Sequence, residues 1–87
     1  MMNLSGIPEH MRDAVKLYIE EGVPPGSFLR AVLTNRLVEA FGRADHINEA
    51  AMKDWAHLLY WELPSDSWGS LEKVNAWLDK KQMEVTP

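Results

Sequence analysis

None of the 87 residues is a cysteine, which excludes a disulfide framework and a thiolate zinc site and leaves side-chain packing to hold the fold. No apolar run reaches the roughly 18–20 residues that span a bilayer, and Met1 to Gly6 carry neither the basic nor the apolar region of a signal peptide. A location in the cytoplasm, away from membranes, is therefore expected. Charges of one sign are not massed: 13 acidic and 9 basic residues, net −4, are scattered along the chain. That distribution disfavours direct nucleic-acid binding, and it is too sparse for a mimic of a phosphate track. Neither a GxSxG elbow, nor a P-loop, nor a GxGxxG turn occurs, so nucleophilic catalysis and nucleotide binding by those devices have no support.

What is present suits a small globular domain. Hydrophobic residues make up 46% and charged residues 25%, and at this length one domain spanning residues 1–87 is expected, with a modest stability margin that self-association would supplement. The first helix is expected from Pro8 to Gly22, with Met11, Ala14, Val15, Tyr18 and Ile19 on one arc and Glu9, Arg12, Asp13, Lys16 and Glu20 opposite. GVPPGS, residues 22–27, stops it and lets Ser27 help cap a second helix running to Phe41 or Gly42. That helix carries a main stripe of Leu29, Val32, Leu33, Leu37 and Ala40, but Phe28, Ala31 and Val38 point elsewhere. It therefore reads as either the central helix or a homo-oligomer interface. Arg36 falls within the stripe and needs a carboxylate such as Asp45, Asp54 or Glu62, or a stem that reaches water; anion recognition is the other reading.

Asp45 is placed to cap a third helix that stops before Pro64, with Ile47, Ala51, Met52, Trp55, Leu58, Leu59 and Leu63 inward. His46, Ala50, Lys53, Asp54, His57 and Trp61 form the outward stripe, in which Trp61 is anomalous. After the turn PSDSWG, Ser70 caps a fourth helix with Leu71, Val74, Trp77 and Leu78 inward. Residues 1–6 and 80–87 lose the pattern and are expected to fray. The fold class predicted is all-α, a compact bundle of about four helices with short connections.

Chemistry that needs convergent groups finds few candidates. Asp54 and His57 lie one helical turn apart, but two ligands do not make a metal site, and His10 and His46 stand elsewhere. Glu20 and Glu21, being adjacent, diverge from a helix. Gly26 and Ser27 with Arg30 read as a helix start. No cofactor is called for, and an enzyme would have to assemble its groups from different helices. Surface recognition remains. Of four tryptophans and two tyrosines, Trp55 and Trp77 are in phase with core stripes, whereas Tyr60, Trp61 and Trp68 are less well accommodated. Either Trp61 and Trp68 cover the base of the core, or Trp61, Tyr60, His57 and Arg43 form a protein-contact patch of the residue types enriched among hot spots.

The stretches YIEEGVPPGSFLRAVLTNRLVEAFGRAD, Tyr18 to Asp45, and SWGSLEKVNAWL, Ser67 to Leu78, resemble a group of short proteins encoded by bacteriophages and prophages that has no established activity. The resemblance implies a phage setting and carries over no catalytic residue. The leading expectation is a non-enzymatic binding module that occupies a host or anti-phage defence protein, such as a CRISPR effector. The competing one is an oligomer that gathers Arg30, Arg36 and Arg43 around a phosphate-bearing signal nucleotide.

Overall fold

A computed structural model describes residues 2–85. Those residues form six α-helices and no strand, arranged as four rods. The first is α1 (Glu9–Lys16), continued by a π-helical turn, Leu17–Glu21. The second is broken into α2 (Ser27–Leu33) and α3 (Leu37–Arg43). The third comprises α4 (His46–Ala50), α5 (Met52–His57) and a second π-helical turn, Leu58–Glu62. A short 3₁₀ turn, Ser65–Ser67, leads into the fourth, α6 (Leu71–Val85). The Cα radius of gyration is 12.3 Å, close to the roughly 12 Å of a compact chain of this length.

Several boundaries follow local chemistry. Gly22 ends the first rod at φ 67°, the left-handed region that glycine enters without a Cβ penalty. A Cβ there would collide with Lys81 of α6, so the same glycine permits the close approach of first and fourth rods. Asp45 caps α4, its Oδ1 accepting from the Asn48 backbone N–H at 2.7 Å, and Ser70 Oγ accepts from the Lys73 backbone N–H at 3.2 Å at the start of α6. The His10 ring lies 3.0 Å from Asp45 Oδ2 and ties α1 to this cap.

The second rod is not the single helix expected to run to Phe41 or Gly42. It stops at Thr34, with Asn35 left-handed at φ 63°. The Asn35 N–H donates to Val32 O at 3.1 Å and the Arg36 N–H to Ala31 O at 2.9 Å, the paired bonds of a Schellman end with asparagine in the position glycine usually holds. The break rotates everything after it. Arg36 does not face the core: its side chain is 58% exposed and pairs with Glu39 at 3.4 Å, not with Asp45, Asp54 or Glu62. Phe28 and Ala31 are buried, while Leu37 and Val38 are exposed, so the two sides expected of one helix are divided between two.

Tyr18, Val15, Leu33, Trp55 and Val74 form the deepest part of the core. Phe28 meets Trp55 edge to face, centroids 5.4 Å apart. Removing roughly 200 Å² of Trp55 from water stabilises the fold by at most about 5 kcal/mol at 25 cal/mol per Å². Each buried polar tip is satisfied: the Trp55 indole N–H donates to Asn48 Oδ1 at 3.2 Å, the Trp77 indole N–H to Tyr18 O at 3.1 Å, and the Tyr18 hydroxyl to Ser67 O at 2.6 Å. Burial pushes the Tyr18 hydroxyl far above the ordinary tyrosine range, so it remains a donor.

Two inward assignments on the third and fourth rods change. Ile47 is exposed and Asn48 buried, and Leu71 is exposed at the start of α6. Two helical turns separate Asn48 from Trp55, which keeps the amide, not Ile47, beneath the indole. Within the ranges expected to fray, 1–6 and 80–87, the described residues make defined contacts. Leu4 is buried, and the Asn3 N–H donates to Glu62 Oε1 at 2.8 Å. At the other end α6 continues to Val85, with Lys80 and Lys81 ammonium groups 5.2 and 5.0 Å from the Trp77 ring centre. Residues 1, 86 and 87 lie outside the described residues.

Candidate functional site

The end of the third rod carries Tyr60 and Trp61, which are more exposed than the other exposed large aromatic side chain, Phe41 of α3. The π-helical turn Leu58–Glu62 closes with the Leu63 N–H donating to Leu58 O at 3.0 Å, a five-residue spacing. Such single π turns are frequent where helices carry function. Leu58 and Leu59 on this turn are buried, and Tyr60 and Trp61 point outward at 70% and 65% exposure. The Tyr60 and Trp61 rings meet at 4.8 Å and 81°, and His57 approaches Trp61 at 6.2 Å and 66°. Trp61 is thus braced edge to face by Tyr60 and His57 while its outer surface stays open.

His57 also lines an adjoining concavity of about 170 Å³ with Asp54, Glu62, Asn3 and Ser5. Two carboxylates give this recess an acidic character beside the rings. Trp68 is half-buried and packs against the core, so the two tryptophans considered together in the sequence have different surroundings. Arg43 belongs to neither feature. It pairs with Glu39 at 3.2 Å on α3.

Arg43 lines a second concavity, about 260 Å³, with Arg30, Arg36, Glu39, Ser27 and Leu71. The sequence suggested that an oligomer would be needed to gather Arg30, Arg36 and Arg43; a single chain brings them to one recess. Glu39 accepts from both Arg36 and Arg43, and the Arg43 guanidinium first, then that of Arg36, holds its carboxyl below the ordinary range.

A third recess, about 290 Å³, lies between α2, α3 and α5 and is lined by Val32, Leu37, Ala40, Phe41, Met52 and Trp55 among others. Periodicity could not place it, because it exists only through the break at Asn35. The histidines are dispersed: His10 is at the Asp45 cap and His46 is exposed. Among the described residues no three His, Asp or Glu side chains converge as metal ligands, no buried side-chain nitrogen or oxygen lacks a partner, and no helix is long and apolar enough to cross a membrane. No protein-family model matches the chain, and no curated protein or solved structure matches it significantly.

Proposed function

We propose that this chain is a protein-binding module whose contact surface is the ring cluster of His57, Tyr60 and Trp61. The observation that carries the reading is the outward presentation of two large aromatic side chains, 70% and 65% exposed, on a turn that Leu58 and Leu59 anchor in the core. Folding alone gains little from so much aromatic surface left in water, whereas tryptophan and tyrosine are the side chains most enriched where partners bind. The acidic recess next to the rings, with Asp54 and Glu62, suits a partner that inserts a lysine or arginine. Such a cation would find carboxylates on one side and the faces of aromatic rings on the other.

The resemblance of residues 18–45 and 67–78 to short phage proteins directs the choice of partner. We take it to be a host or anti-phage defence protein, a CRISPR effector among the candidates, bound and inhibited in the bacterial cytoplasm without catalysis. The test is capture of a partner from bacterial lysate on the immobilised chain, followed by titration of the purified partner. Trp61→Ala should weaken binding about 30-fold, the loss expected of a hot-spot residue, with its circular dichroism spectrum unchanged. Equal affinity of wild type and variant would remove the ring cluster from the interface.

A further inference from the structure

The recess of Arg30, Arg36 and Arg43 lies on the second rod, apart from the ring cluster, and stands independently of it. Three guanidinium groups and one carboxylate line it, a local excess of two positive charges in a chain whose net charge is −4. Like charges gathered in a concave surface repel one another more than charges spread over a convex one, because less water separates them. Glu39 offsets part of that repulsion by accepting from Arg36 at 3.4 Å and Arg43 at 3.2 Å. Among the described residues Arg30 has no ion pair or side-chain hydrogen bond, and the Ser27 hydroxyl is likewise unengaged. The Thr34 hydroxyl is committed to the backbone, donating to Arg30 O at 2.7 Å.

We propose that this recess binds a phosphate or diphosphate group, with Glu39 as an internal counter-anion that the ligand displaces. Guanidinium groups match phosphate oxygens with paired N–H donors. Arg30 is available from the start, and Arg36 and Arg43 are released as Glu39 swings aside. At about 260 Å³ the recess falls below the roughly 300–1,000 Å³ of sites that enclose drug-sized molecules. The terminal phosphates of a larger molecule would therefore seat here, while the rest of it extends over Leu71 or into solvent.

The opposed effects of two conservative substitutions separate a site from a merely solvated group of charges. Pyrophosphate, ADP and adenosine are titrated calorimetrically into the full chain at fixed ionic strength, with sulfate as a control divalent anion. Pyrophosphate and ADP should bind and adenosine should not. ADP tighter than pyrophosphate identifies a phosphate ester as the favoured source, and the reverse order identifies the inorganic anion. Arg30→Gln should weaken binding at least tenfold, and Arg30→Lys should fail to restore it fully, because an ammonium keeps the charge but not the paired donors. Glu39→Gln should tighten binding several-fold by removing the competing carboxylate. Both positions reach the surface, and an unchanged melting temperature confirms that each of the three variants folds. The proposal is overturned by absence of heat at millimolar pyrophosphate and ADP, by equal binding of sulfate, or by Glu39→Gln binding no tighter than wild type.

Discussion

Replacing Tyr18 by phenylalanine tests how the first, third and fourth rods are joined. Tyr18 is 1% exposed and its hydroxyl donates at 2.6 Å to the carbonyl of Ser67, itself fully buried. The substitution keeps the ring and deletes one oxygen, so packing changes little. A net hydrogen bond of about 1 kcal/mol is lost, and the Ser67 carbonyl is left without its donor at a cost of about 1–3 kcal/mol. Phenylalanine recovers part of this because no hydroxyl then needs desolvating, and a net loss of about 2 kcal/mol results. For a domain of this size that lowers the melting temperature by about 8–16 °C. Urea unfolding followed by tryptophan fluorescence should show a lower midpoint with an unchanged slope.

An alkaline limb provides a second readout. Burial raises the folded Tyr18 pKa above the ordinary 10.0. Wild-type stability is therefore fully present below about pH 10 and falls as pH rises above it, where the unfolded tyrosine ionises and the folded one does not. Tyr18→Phe should lose that part of the decline. A loss below about 0.5 kcal/mol, or an alkaline limb identical to wild type, would refute the reasoning.

Asn35→Gly should change stability by less than about 0.5 kcal/mol, whereas Asn35→Ala should cost about 1 kcal/mol because alanine resists the left-handed conformation; urea midpoints distinguish them. Asp45 is held below its ordinary value of 3.8, chiefly by the Asn48 backbone N–H and then by His10. Its contribution is present above about pH 4 and lost as pH falls through the depressed folded value. Asp45→Asn should flatten the acid limb of thermal stability measured from pH 5 down to pH 2. Trp61→Ala should weaken partner binding, and Arg30→Gln and Glu39→Gln should move phosphate affinity in opposite directions by calorimetry.

Much of this architecture is legible in residue order because the relevant forces are local. Gly22 ends a rod, Asp45 and Ser70 cap helices, and Val15, Tyr18, Trp55, Val74 and Trp77 fall inside at helical spacing. The break at Asn35 was hidden by an apolar pattern that continues through it, although Thr34-Asn35 is a pair able to end a helix: asparagine tolerates the left-handed region, and the Thr34 hydroxyl bonds back to Arg30 O. Without that break the pattern places Arg36 inward and keeps Val38 with Phe28 and Ala31. Ile47 departs from its expected place for a different reason. Hydrophobicity favoured it over Asn48, but the amide has the better phase with Trp55 and satisfies its indole.

The surface features depend on contacts between rods, which spacing alone does not reveal. His57, Tyr60 and Trp61 are close in sequence, and their grouping could be anticipated from one helix. Their exposure could not, since a tryptophan of that phase could equally have folded over the core. Arg43 joins those rings in the sequence reading only as a residue type enriched among hot spots. Its actual partner, Glu39, lies four residues earlier on the same helix, where an acidic and a basic side chain at that spacing meet. The recess it shares with Arg30 and Arg36 required the second rod to bend.

Mapping the bound surface is the most direct test of the binding account. With isotope-labelled chain and the purified captured partner, amide and indole NMR signals of residues 57–62 should shift or broaden on addition of partner, and Trp61 should lose solvent accessibility. Perturbations centred on another face, with Tyr60 and Trp61 as exposed in the complex as in the free chain, would contradict it.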